Sequence, residues 1–128
     1  MENKKVLEGV TYNILEEDQI EAYVRRIAKE EWSFNDFEEC EKDLSLNWAL
    51  EEVRVSDIKP NEELLKTEKF QLDLKPRIIK IRDLLNNNQA VPPLILRGLD
   101  YFIFDGYARY HVLKEKRIEK CLAYVGRS

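Results

Sequence analysis

The stretch Tyr101-Phe102-Ile103-Phe104-Asp105-Gly106-Tyr107-Ala108-Arg109-Tyr110-His111-Val112-Leu113-Lys114 passes from a short apolar strand pattern into a helix through one glycine. The helix places Tyr110, Leu113 and Val112 toward a core, and its first N–H groups have no partner within the helix. A strand end meeting a helix start is a ready anion site, because the free N–H groups and the helix dipole both favour negative charge. Gly106 removes the Cβ that would hold a ligand off the backbone, Asp105 suits a cap or a metal ligand, and Arg109 suits a bidentate phosphate contact. The plain alternative is an ordinary strand-to-helix turn with Asp105 as N-cap and Arg109 solvated.

Other segments extend the pattern. Val53 to Glu62 contains a Lys59-Pro60 turn, a helical stretch ends at Leu84-Leu85-Asn86-Asn87-Asn88, and Pro92-Pro93-Leu94-Ile95-Leu96 opens another strand. Ile118 to Val125 supplies a closing strand after the Asp-Gly helix. In motif and order, residues 51 to 126 resemble the ParB and sulfiredoxin superfamily, and the motif is nearest the Asp-Gly-x-x-Arg branch of the free serine kinases. The resemblance implies an α+β fold, a small mixed sheet with packed helices.

It also implies a site: the nucleotide-phosphate turn would consist of Asp105, Gly106, Tyr107, Ala108 and Arg109, facing the Lys-Pro loop across a shallow cleft. The expected cofactor is a nucleotide, ATP, ADP or CTP, with or without Mg2+. Tyr107 and Ala108 stand where sulfiredoxins carry cysteine and histidine, which removes sulfinic acid reduction from the expected activities. Partition proteins continue into a helix-turn-helix domain for which this chain has no room, so direct DNA binding by this chain alone is not expected. Glu62 matches the base of the serine kinases, where Glu62 and Asp105 would be the catalytic candidates. The plainer reading of the same residue is a solvated turn carboxylate. Tyr107-Ala108 also removes both histidines of that branch.

The chain has 128 residues and two cysteines, Cys40 and Cys121, far apart in sequence. This length is a one-domain length, and no apolar run is long enough to span a bilayer. A cytoplasmic protein with reduced thiols is expected. The net charge of −4 divides unevenly, with −7 on residues 1–50 and +3 on residues 51–128. This absence of a uniformly basic surface argues against non-specific DNA binding, and the acidic part is a candidate for docking a protein partner. The charge step divides the chain into an acidic N-terminal helical extension, 1–50, and a ParB/sulfiredoxin-like domain, 51–128.

Within the extension, residues 1–12 lack a clear period, although Val6-Leu7 and Val10-Tyr12 suit a short strand or arm. From Glu16 to Trp32, Ile20, Tyr23, Val24, Ile27 and Ala28 recur at helical spacing, with acids early and bases late. A second helix over Phe37 to Leu46, with Phe34, Phe37, Cys40, Leu44 and Trp48 on its apolar side, would complete an α-hairpin. On this reading, deleting residues 1–49 leaves every strand of the family fold and the Asp-Gly site in place, while exposing the surface that Trp32, Trp48 and the Ile20, Val24, Ile27 stripe cover. Downstream, the spacing predicts a strand over 51–55, a loop over 61–69, a helix from Leu72 or Pro76 through Asn86, and a turn at Gly98-Leu99-Asp100.

Three functional classes follow. The first is a nucleotide-binding module with weak or no catalysis. The second is a small-molecule kinase or nucleotide hydrolase that uses Glu62. The third is a plasmid- or phage-related regulatory protein that keeps the fold as an interaction platform. Nuclease activity is not expected, because no cluster of carboxylates and histidines is evident along the chain.

Overall fold

The computed structural model describes residues 3–31 and 46–128. Strands β1 (Asn3–Leu7) and β2 (Val10–Ile14) form an antiparallel hairpin whose turn residues, Glu8 and Gly9, both have positive φ, 50° and 80°. That backbone is the one a two-residue turn needs to match strand twist. Helix α1 (Glu17–Glu31) follows, acidic in its first turn and basic in its last. The second arm of the expected α-hairpin lies outside the described residues.

Strand β3 (Asn47–Arg54) leads through a 3-10 turn at Val55–Asp57 to the single-turn helix α2 (Glu62–Leu65) and the long helix α3 (Glu68–Asn86). Strands β4 (Leu94–Arg97) and β5 (Ile103–Asp105), helix α4 (Tyr107–Glu115) and strand β6 (Lys120–Arg127) complete the chain. The main sheet has the order β3-β6-β4-β5, with β6 and β4 parallel and the outer pairs antiparallel. The fold is thus α+β with a mixed sheet, as expected.

Two layers cover this sheet, and strand alternation decides which side chain meets which layer. Leu94 and Leu96 of β4 and Ala123 and Val125 of β6 pack with Leu113 of α4 and with Ile81, Leu84 and Leu85 of α3. Ile95 and Tyr124 point the other way, onto Ile20, Val24 and Ala28 of α1. The two central strands are therefore apolar on both faces, as strands covered by helices on both sides must be.

Several boundaries differ from the sequence reading. Trp48 belongs to a strand and not to a helix: β3 begins at Asn47, and the indole packs beside Phe104 and under Gly126. The division at 50/51 therefore falls inside β3, and deleting residues 1–49 would remove the part of that strand paired with Arg127, Gly126 and Val125. It would also remove β2, where Asn13 donates to Val91 and Val91 donates to Thr11, each at 3.0 Å. The loop expected over 61–69 contains α2, because Asn61 Oδ1 accepts from Leu64 N–H and caps that turn. Helix α3 starts at Glu68 and runs through Pro76, whose exposed position leaves the unpaired carbonyl to water.

Candidate functional site

Gly106 sits at φ 115°, ψ 29°, a left-handed conformation, immediately before α4. No side chain caps the helix there, so the first-turn N–H groups keep the open start expected from the sequence. A Cβ at this position would collide with the Leu94 side chain and come within 2.9 Å of Arg109 Nη2. Glycine is required for the backbone conformation and again for the space.

Asp105 neither caps the helix nor faces open solvent. Its Oδ2 accepts from Arg109 Nη2 at 3.0 Å, across one helical turn. Arg109 is only 13 % exposed and Asp105 21 %. The guanidinium folds back against Gly106 and Leu94 instead of standing out in a cleft, and its Nε has no hydrogen-bond partner among the described residues. Among the described residues it is also the one charged group lining a small apolar pocket whose walls include Tyr12, Ile81, Leu85 and Leu113.

Two tyrosines from the N-terminal part lie within electrostatic range of Arg109, which no local signal in the sequence announces. Burial pushes the Tyr12 phenol well above its ordinary range, and the Arg109 charge works against that rise. The Tyr12 hydroxyl has no hydrogen-bond partner among the described residues; the Leu122 amide acts on it electrostatically without reaching hydrogen-bond geometry. Tyr23 of α1 is likewise raised by burial, with Arg109 and Asp105 acting on it in opposite directions.

The Lys-Pro loop does meet the Asp-Gly turn. Tyr107, at the first position of α4, accepts a 2.9 Å hydrogen bond from Asn61 N–H and lies edge-on to Phe70, with ring centroids 5.2 Å apart. Burial raises the Tyr107 phenol; the Asn61 N–H pulls it down and the Glu62 carboxylate pushes it up. Glu62 therefore lies within electrostatic reach of Tyr107, exposed on the first turn of α2. Lys59 fixes the loop to β5 by donating to Tyr101 and accepting from Ile103, both at 3.0 Å. Ala108 is buried and supports packing, whereas His111 is exposed. Arg82 of α3 is held bidentately by Glu115 of α4, at 2.9 and 2.6 Å.

No family model matches the chain, and no curated protein matches it either. Among solved structures, it is similar to a pNOB8-like ParB N-domain in its C2221 form, with a TM-score of 0.47 and 20 % identity over 66 % of this chain and 32 % of that one. It is also similar to a second pNOB8-like ParB N-domain structure, with a TM-score of 0.42 and 24 % identity over 63 % of this chain and 29 % of that one. The chain spans about a third of the length of these structures.

Proposed function

We propose that this chain is a ParB-like module that binds the phosphates of a nucleotide at the Gly106 turn. The observation that carries the reading is the start of α4, where an uncapped first turn follows a left-handed glycine and has the Asp105–Arg109 pair directly beside it. Backbone N–H groups and the helix dipole would take the phosphate oxygens, as they do in other glycine-initiated helices. Arg109 would act from behind the turn by adding positive potential, and would reach an oxygen directly only by exchanging Asp105 for the ligand. With the Asp105 carboxylate already bonded to Arg109, a Mg2+ ion would depend mainly on phosphate oxygens and water for its ligands.

A phosphoryl-transfer variant of this reading is favoured by one observation: Tyr107 draws the loop that carries Glu62 onto the turn. In that variant Glu62 would take the proton of an acceptor hydroxyl, a role that asks only for positioning and a carboxylate. The test is a thermal-shift panel with ATP, ADP, CTP and GTP, each with and without Mg2+. A ligand that binds only the folded state must raise its apparent stability, by about 2.7 kcal/mol at a hundred times Kd. A panel in which no nucleotide shifts the melt at millimolar concentration removes the nucleotide reading. Release of ADP that disappears in Glu62→Gln with retained binding would establish the kinase or hydrolase variant.

A further inference from the structure

A guanidinium offers two parallel donors along its Nε–Nη2 edge, the edge that holds a carboxylate or a phosphate side-on through two hydrogen bonds. In Arg109 this edge lies against Gly106: a Cβ there would stand 2.9 Å from Nη2 and 3.3 Å from Nε. The room that glycine leaves is filled by the two donors themselves. They are used unequally. Nη2 donates to Asp105 Oδ2 at 3.0 Å, whereas Nε is buried and has no hydrogen-bond partner among the described residues.

Asp105 therefore engages by one bond a group built to be held by two. It is anchored at the end of β5 by its pairing with Ile95, and its short side chain meets Nη2 alone. The pair is sheltered enough that solvent screens it little. Among the described residues Asp105 is also the one anion bonded to Arg109, since the phenols of Tyr12 and Tyr23, which feel the same charge, are kept protonated by burial. A buried donor without an acceptor is unfavourable, so the arrangement leaves Arg109 half-satisfied.

From this arrangement we infer that Asp105 is an internal competitor of the phosphate: its carboxylate holds Arg109 closed, and a phosphate group opens it by taking Nη2 from Asp105 together with the free Nε. The inference rests on the phosphate reading of the Gly106 turn and adds the residue that regulates it. The exchange replaces one charge-assisted hydrogen bond with two, which favours the ligand. It also leaves a released carboxylate beside an anion, which opposes it. Asp105 thus lowers the affinity of the turn, the reverse of what a cap or a metal ligand at this position would do.

The test is calorimetry with inorganic pyrophosphate and with ATP, on the full chain in EDTA, so that no metal acts through Asp105. Asp105→Asn keeps an acceptor of the same size and removes its charge; it should bind both ligands about tenfold more tightly than the parent. Added to Arg109→Met, the same substitution should not improve binding, because no guanidinium is left to release. An equal gain in that background would mean that Asp105 only repels anions, and overturns the proposal. A second readout needs no substitution. Pyrophosphate should move the Arg109 Nε–H proton resonance of the parent downfield and slow its exchange with water, as that donor gains an acceptor. If either ligand binds the parent while this resonance stays in place, the exchange at Asp105 is wrong and the phosphate turn stands. If folded Asp105→Asn binds neither ligand, both are wrong.

Discussion

The Tyr107 hydroxyl and the Asn61 backbone N–H, 46 positions apart in the chain, are joined by a 2.9 Å hydrogen bond that ties the Lys-Pro loop to the start of α4. Tyr107→Phe keeps the ring on Phe70 and removes only the acceptor. A partly buried N–H left without a partner costs about 1 kcal/mol or somewhat more. The expected result is a stability loss of about that size in urea titrations, with faster hydrogen exchange at the Asn61 amide than at amides of β6. Unchanged exchange at Asn61 would show that the loop is held by its Lys59 bonds alone.

Glycine 106 and glycine 9 both have positive φ but differ in their surroundings. A Cβ at Gly9 meets nothing within 4 Å, so Gly9→Ala should cost only the left-handed backbone strain, about 1 kcal/mol. At Gly106 the same methyl would press on Leu94 and on the Arg109 guanidinium, which adds an overpacking cost of about 1 to 3 kcal/mol. Equilibrium unfolding should therefore rank Gly106→Ala as clearly the more damaging. Equal losses would mean that the turn can shift away from Leu94.

Arg109 is expected to affect stability as well as ligand binding. The sequence assigns it a bidentate phosphate contact or a solvated position, either of which would leave the fold indifferent to its loss; in the structure it is largely buried and paired with Asp105. Arg109→Ala would leave that carboxylate partly buried and unpaired, a defect of about 3 kcal/mol for a pair this enclosed. The double substitution Arg109→Met with Asp105→Asn should recover much of the loss, because it removes both charges together. If Arg109→Ala unfolds at the same urea concentration as the parent, the pair carries no structural role and the residue is free for a ligand.

The part of the site that local sequence makes legible is the part built locally. A strand pattern that breaks at Gly106 and resumes with helical spacing is visible in ten residues, and so is the Gly98-Leu99-Asp100 turn. What the sequence conceals depends on distant partners. Trp48 looks like one more apolar residue after a helical stretch until Gly126 provides the gap for its indole. Tyr12 and Tyr23 carry no motif, and they come within electrostatic range of Arg109 only because β2 pairs with Val91 and α1 lies on Ile95 and Tyr124. Helix α3 extends across Pro76 because the apolar spacing on its inner side continues past a residue that ordinarily marks a boundary.

Cys121 gives the prediction with the plainest pH signature. It is fully buried in β6, and that burial, reinforced by the Glu8 carboxylate, pushes its thiol from 9.0 up to about 12. In the unfolded chain the thiol ionises near its ordinary value while the folded protein keeps it protonated, so unfolding releases a proton throughout the window between about 9 and 12. Stability is fully present below pH 9 and declines as pH rises, by up to about 1.4 kcal/mol for each pH unit crossed. Tyr12, also raised by burial, adds a loss of the same sign once unfolded tyrosine begins to ionise near pH 10. The interval from pH 9 to 10 therefore isolates the thiol. Cys121→Ala should be less stable than the parent at pH 7 because a packed side chain is truncated, yet its stability should fall less steeply between pH 9 and 10. Cys40 is present in both proteins and cancels. Urea titrations of the two proteins at pH 7, 8, 9 and 10 measure both slopes, and parallel slopes would mean that the Cys121 thiol is not the group whose ionisation unfolding exposes.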